Sequence, residues 1–335
     1  MENKRHTIII AEAGVNHNGS LKTALQMVDA AALAGADFVK FQTFKTDSLV
    51  TASVKTAEYQ KANCNADTQR DMLRKLELPY SDFRILADHC REKGIGFLST
   101  PFDKESIDFL STLGMKYMKV PSGEITNLPY LRNIASTQTP VIISTGMSTL
   151  ADVENALQVF YDAGYSRSDI TLLHCTTQYP TPFSDVNLRA MLTLREAFGI
   201  ATGYSDHTRG IEIPIAATAL GATVIEKHFT LDTSMPGPDH AASLNPDELE
   251  EMVRRISHVS MALGSAVKRV TPSERKNMEA ARKSIVAATD IKEGEFFTED
   301  NLTVKRPGTG ISPMRWDEII GKASTRFYKA DDLIQ

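Results

Sequence analysis

Short apolar runs recur along this 335-residue chain at roughly thirty-residue intervals, and most lead into a stretch where apolar residues return every three or four positions. That is the rhythm of strand–helix units. The runs predict strands over Thr7–Ala13, Asp37–Thr43, Gly96–Thr100, Lys116–Pro121, Pro140–Ser144, Ile170–Cys175, Ala201–Tyr204 and Thr223–Lys227. Between them, amphipathic stretches such as Leu21–Ala34, Tyr80–Lys93, Ala151–Ala163 and Leu188–Phe198 predict helices with one face able to cover the strands. Gly35, Gly94 and Gly164 stand where helices must end, the position at which a left-handed C-cap favours glycine.

Eight such units in roughly 250 residues are what a (β/α)8 TIM barrel requires, because closure removes the sheet edges and buries both strand faces. A doubly wound open sheet is the alternative. It would usually carry a GxGxxG fingerprint after the first strand, and Ala13–Gly19 reads AGVNHNG instead. The rhythm stops after a long helix, Pro246–Leu263, and a charged stretch at Ser273–Lys276. A second module begins near residue 280, with short strands and turn chemistry at Ile285–Ala287, Lys292–Gly294, Phe296–Phe297, Leu302–Lys305 and Gly308–Gly310. The expected organisation is a catalytic barrel over 1–270, a linker over 271–283 and a small β-rich domain over 284–335.

Composition narrows the function classes. Hydrophobic residues at 42% and charged residues at 24% are the balance of a soluble globular protein. A formal charge of −5 provides no general attraction to nucleic acid or an anionic membrane, so an anionic ligand must be held by local cations. Cys64, Cys90 and Cys175 form no CxxC pair, which argues against a disulfide framework or a thiolate zinc site and for a reducing cytoplasm. The first apolar run, Ile8–Ile10, is too short for an export signal or a membrane span.

In a barrel the active site forms at the C-terminal ends of the strands. Those ends here carry Glu12; Lys40 and Gln42; Thr100; Lys119, Ser122 and Glu124; Ser144 and Thr145; His174 and Tyr179; Ser205, Asp206 and His207; and Glu226, Lys227 and His228. One strand-end hydroxyl is commonly just a helix N-cap; so many polar ends on one face point to function. His207 and His228 follow adjacent strands, where two neutral imidazoles could share a divalent ion, although a pair of hydrogen-bonded histidines is the plainer alternative. Two protein ligands would leave open positions for substrate oxygens. Lys40 and Lys119, each interrupting an apolar run among hydroxyl residues, fit a pocket for a small, multiply charged anion. A Schiff-base lysine is the rival use and a snorkelling surface lysine the bland one.

With those residues in view, the chain resembles the bacterial sialic acid synthases, a family that includes N-acetylneuraminate and N,N'-diacetyllegionaminate synthases. The resemblance runs from near residue 7 to the C-terminus. It is carried by AEAGVNHNGS at 11–20, VKFQTF at 39–44, STPF at 99–102, KVPSGE at 119–124, STGM at 144–147, HCTTQYPTP at 174–182, YSDHT at 204–208, EKHFTL at 226–231, PGPDH at 236–240 and KRPGTG at 305–310. It implies a barrel joined to a C-terminal antifreeze-like (SAF) domain, in a homodimer where each small domain caps the partner's barrel. It also implies condensation of phosphoenolpyruvate with N-acetylmannosamine or its 2,4-diacetamido-2,4,6-trideoxy relative, with cleavage of the C–O bond and release of phosphate.

The resemblance assigns residues as well. His207 and His228 match the metal ligands, for Mn²⁺ or Mg²⁺. Lys40, Thr100, Lys119, Ser122, Ser144 and Ser205 match phosphoenolpyruvate contacts, with Gln42 adjoining them and Thr177 standing where some relatives have asparagine. Glu12, Tyr179 and Asp239 match positions near the sugar, Arg306 matches the cap arginine that reaches its N-acetyl group, and Asn63 or Asn65 is the loop asparagine. Glu12 and Glu124 are the carboxyl groups expected to move protons. A Schiff-base keto-acid aldolase and a noncatalytic sugar-binding protein are the competing classes.

Overall fold

A computed structural model of the chain describes residues 6–51 and 68–335. Every predicted apolar run forms a strand within two residues of its expected bounds: β1 Ile8–Gly14, β2 Phe38–Thr43, β3 Gly96–Pro101, β4 Met118–Val120, β5 Val141–Ser144, β6 Ile170–His174, β7 Ala201–Asp206 and β8 Val224–His228. All recorded ladders among them are parallel, in the order β3-β2-β1-β8-β7-β6-β5-β4. Because β1 pairs with both β2 and β8, the sheet curls into a barrel. Its seam lies between β3 and β4, which are neighbours without a hydrogen-bonded ladder. The hydroxyl of buried Tyr130 sits there, 2.9 Å from the Pro101 carbonyl oxygen and 3.4 Å from that of Lys119, one from each side.

The helices form for the reasons the sequence offers. Leu150–Asp162 opens on a capping box in which Thr149 and Asp152 satisfy each other's backbone N–H, and it buries Val153, Ala156, Leu157 and Phe160 against the barrel. Tyr80–Lys93 ends on Gly94, whose φ of 71° puts it in the left-handed region expected of a C-cap. Among the described residues no helix is long and apolar enough to cross a membrane.

The chain divides at Gly264 into two compact units. In the second, Ser265–Gln335, residues expected to be a linker carry the helix Pro272–Ala281, opened by a capping box between Thr271 and Glu274. Its sheet is small: β9 Ser284–Ala287 pairs antiparallel with β10 Leu302–Lys305, over a core that includes Ile285, Ile291, Phe297 and Tyr328. Two of the stretches read as short strands with turn chemistry are turns alone. Gly294 closes Lys292–Gly294 with φ of 82° and donates its N–H to Ser324, and Gly308–Gly310 likewise leaves the ladder.

Candidate active site

The alternation of side chains along a strand decides which residues share the barrel's interior. Glu12, Lys40, Gln42, Thr100, Lys119, Ser144, Ser205, His207, Glu226 and His228 all line one cavity of about 400 Å³ at the C-terminal ends of the strands. Register brings several into one layer: Glu12 is opposite both Lys40 and His228, and Ser205 is opposite Glu226. The β1–β2 register then shifts between Glu12 and Gly14, a bulge that turns the chain at the site. Gly14, with φ of 52°, leaves room there; a Cβ would stand 3.3 Å from Glu12 Oε1, 3.4 Å from Gln42 Nε2 and 3.5 Å from His228 Cε1.

Two lysines and two carboxyl groups form the floor. Lys40 Nζ pairs with Glu12 Oε2, donates to Thr100 Oγ1 at 2.9 Å and lies 3.7 Å from Glu226 Oε1. Lys119 Nζ donates to Ser144 Oγ at 2.7 Å and lies 3.9 Å from the same Glu226 oxygen, which also accepts from Ser205 Oγ at 3.1 Å. Burial pushes the Glu12 carboxyl up to about 7 although Lys40 opposes it. Burial would also raise Glu226, but Lys119 and Lys40 hold it below the usual carboxylate range. The Lys40 ammonium, which burial disfavours, is held above its ordinary value by Glu12 and Glu226, while burial lowers Lys119. With Glu12 ionised the two lysines face two carboxylates; a proton on Glu12 would leave one unit of positive charge for an anion.

Beside this floor the His207 and His228 rings lie 5.6 Å apart, each against Tyr179, at 4.1 Å and 5.7 Å between centroids. The Thr176 carbonyl accepts from His207 Nδ1 at 2.5 Å, which leaves Nε2 as the ring's lone-pair nitrogen. Burial lowers both imidazoles, His228 well below its ordinary value because a second proton beside His207 would also be repelled. Among the described residues, buried His228 Nδ1 and Glu226 Oε2 find no hydrogen-bond partner. Two neutral nitrogen donors fit a divalent ion such as manganese better than magnesium, which prefers oxygen. Among the described residues no group of three or more His, Cys, Asp or Glu side chains is arranged to hold a metal ion, so the protein offers these two.

Several expected residues join the same cavity from the loops. Ser122 accepts from the Gly146 N–H at 3.0 Å and lies 3.2 Å from Cys175 Sγ. Thr177, Tyr179 and Asp239 line the wall, and burial pushes the Asp239 carboxyl up to about 6. The loop that carries Asp239 is braced by the NHN of the first motif. Asn18 Nδ2 donates to the Pro236 carbonyl at 3.0 Å, Asn16 Nδ2 to Ser243 Oγ at 3.0 Å, and Ser243 Oγ to the Asp239 carbonyl at 2.7 Å.

Glu124, Asp206, Lys227 and His174 are not brought there. Glu124 does not line the cavity, whereas Glu226 does; Glu124 ends the short 3-10 helix Ser122–Glu124 and accepts from Asn127 Nδ2 at 2.6 Å. Asp206 and Lys227 point to the opposite face of the sheet, and His174 is tied to the Val186 carbonyl at 2.9 Å. Arg306 belongs to the second unit, where it is exposed and its Nε donates to the Ala281 carbonyl at 3.1 Å. Asn63 and Asn65 lie outside the described residues. The apolar lining from Met72, Leu73 and Leu76 had no signal in any motif.

A family model described as the NeuB family matches residues 27–268. The chain belongs to this family, the sialic acid synthases. A SAF domain matches residues 282–335 of the same synthase. It is 53% identical over 332 residues to the N,N'-diacetyllegionaminic acid synthase of Campylobacter jejuni, covering 99% of both chains. It is 49% identical to that of Legionella pneumophila, over 93% of this chain and 89% of the relative. Among solved structures, the N-acetylneuraminic acid synthetase of Leptospira borgpetersenii superposes with a TM-score of 0.74 at 33% identity, over 83% of this chain and 92% of that one. The synthase is thus an enzyme of nonulosonic acid biosynthesis.

Proposed function

We propose that this synthase condenses phosphoenolpyruvate with an N-acetylated amino sugar aldehyde to give a nine-carbon ulosonic acid and phosphate. The observation that carries the reading is the floor of two buried lysines around Glu226, each also donating to a hydroxyl, beside two neutral imidazoles. Phosphoenolpyruvate matches that positive excess. Lys40, Lys119, Thr100, Ser122, Ser144, Ser205 and Thr177 would take its carboxylate and phosphate oxygens, with Gln42 orienting Glu12 at 3.3 Å. Tyr179 and Asp239 would take the sugar. The names of the two legionaminic acid synthase relatives favour 2,4-diacetamido-2,4,6-trideoxymannose over N-acetylmannosamine as that sugar.

His207 and His228 would hold Mn²⁺, which when bound supplies Lewis-acid polarisation of the aldehyde oxygen. The remaining work falls to the chain's own groups. C3 of phosphoenolpyruvate attacks the aldehyde carbon, and water bonds to C2. The C2–O bond then breaks, the phosphate leaving with its electron pair and the bridging oxygen. Glu12, near 7, exists in both protonation states at neutral pH and so can take the water's proton and give one to the new hydroxyl. Glu226 stays ionised and keeps both lysines charged and aimed.

Buried free thiols at Cys90 and Cys175 fit a reducing cytoplasm. The working form is proposed to be a homodimer in which Arg306 of one subunit reaches the sugar in the other. Co-expressing His207→Ala with Arg306→Ala subunits then restores roughly a quarter of wild-type activity, from the dimers with one intact site. A mixture as inactive as its parents refutes the exchange.

The reaction is tested by supplying phosphoenolpyruvate labelled with ¹⁸O at the bridging oxygen, each amino sugar and Mn²⁺. Phosphate carrying the label is expected, with loss of activity on chelation and in His207→Ala and His228→Ala. Full activity of the metal-free protein, label kept in the sugar, or borohydride trapping of a keto acid on Lys119 overturns the mechanism.

A further inference from the structure

The cavity has two unlike walls. Its floor is charged, but the side above β1 to β3 is closed by Val15, Met72, Leu73, Leu76 and Phe102, and the helix Gln69–Leu76 contributes no polar side chain to the lining. The helix is strongly amphipathic. Arg70 and Arg74, on its polar face, donate to Asp47, Arg74 at 3.0 Å, while Met72 and Leu76 pack with Val15 and Phe44 as a small separate core. It is also held at both ends. Thr68 Oγ1 caps the first turn, accepting from Asp71 N–H at 3.1 Å. At the last turn the Lys75 carbonyl comes so near Gly19 that a Cβ there would stand 2.3 Å from it. Glu77 follows directly, accepting from Thr46 N–H at 3.0 Å and Thr46 Oγ1 at 2.8 Å. The apolar surface is thus built in advance of any ligand.

We infer that this wall, through Met72 and Leu73 above all, selects a sugar whose C6 is a methyl group over one whose C6 carries a hydroxyl. The inference rests on the function proposed above, in which the aldehyde end lies by His207 and His228. β8 neighbours β1, and β1 neighbours β2, so a chain extending from the His228 side passes Val15 and meets the helix Gln69–Leu76, which lies between β2 and β3 in the sequence. Against this surface a methyl finds only carbon and sulfur. A hydroxymethyl would bring a donor and two lone pairs to a wall that, among the described residues, offers no partner for them, and an unpaired buried hydroxyl is penalised by its lost hydration.

N-acetylmannosamine and its 6-deoxy analogue differ only at C6 and isolate the effect. With saturating phosphoenolpyruvate and Mn²⁺, the 6-deoxy sugar is expected to have the higher kcat/KM by at least about tenfold. Leu73→Gln, at a half-buried position, should cut that ratio by about as much while leaving the KM for phosphoenolpyruvate unchanged; Met72→Gln is the second variant, and thermal melting reports whether each is folded. Calorimetric binding of the two open-chain alditols, without phosphoenolpyruvate, gives the same ratio independently of turnover. If no sugar yields phosphate, the proposed reaction falls, and the alditol ratio still judges the wall. Equal or reversed preference in the wild type, absence of alditol binding, or a ratio unmoved in both folded variants overturns the selection.

Discussion

Two clusters of buried charge stand one residue apart on β8 and differ in what they leave unfinished. Lys227 and Asp206 have no exposed side-chain surface and satisfy each other: the carboxylate accepts from Lys227 at 2.5 Å and from Thr208 N–H and Oγ1 at 3.1 and 3.0 Å, and Lys227 also donates to the Thr208 carbonyl. Glu226 faces the other way, into the cavity, with one oxygen shared by two lysines and a serine and the other without a partner. The first is a closed pair that ties β7 to β8. The second is left open on its cavity side, where among the described residues one Glu226 oxygen has no hydrogen-bond partner. Burial of charge is common to both; spare hydrogen-bonding capacity aimed into a cavity separates chemistry from scaffold.

The comparison is most sharply tested at Lys119. Lys119→Met is expected to lower kcat/KM for phosphoenolpyruvate by on the order of a hundredfold or more. Unfolding free energy should move by only about 1 kcal/mol, because Glu226 keeps Lys40 and Ser205 and an apolar side chain replaces a buried ammonium. The opposite pattern is expected at the closed pair. Asp206→Ala strands Lys227 in the interior and should destabilise by about 3–5 kcal/mol in denaturant titration. A Lys119 variant that unfolds with little kinetic defect, or a stable Asp206 variant, would erase the distinction.

The smallest effect concerns Asp239, a cavity carboxyl group that burial pushes up to about 6 from 3.8. Below about pH 4 it is protonated whether folded or not and contributes nothing. As pH rises from there through about 6, the unfolded chain ionises first, so the wild type loses stability that an amide would keep. Asp239→Asn should therefore gain on the wild type by about 1–2 kcal/mol above pH 7, the gap closing below pH 4. Melting curves of both proteins across that range check the sign; a constant gap would mean that the carboxyl is not strained by burial.

Local pattern was enough for the eight barrel strands and for the change of module after the long helix Pro246–Leu263. Apolar runs and 3.6-residue periodicity are local properties, and capping residues such as Thr149 and Gly94 mark the ends. It also placed the lysines and histidines at strand ends, since a barrel gathers those ends whatever lies between them. Only the tertiary structure decided which of two adjacent charges looks inward. Strands buried on both faces read as nearly continuous apolar runs, so the alternation that puts Glu226 and Ser205 in the cavity and Lys227 and Asp206 behind it is invisible in the pattern. The direction of Glu124 was illegible for a related reason: it stands past the end of β4, where a 3-10 turn and Asn127, not strand parity, aim the side chain. The apolar wall depended on three dimensions entirely, because Met72 and Leu73 meet Val15 only when the barrel has closed and the helix after β2 has docked above it.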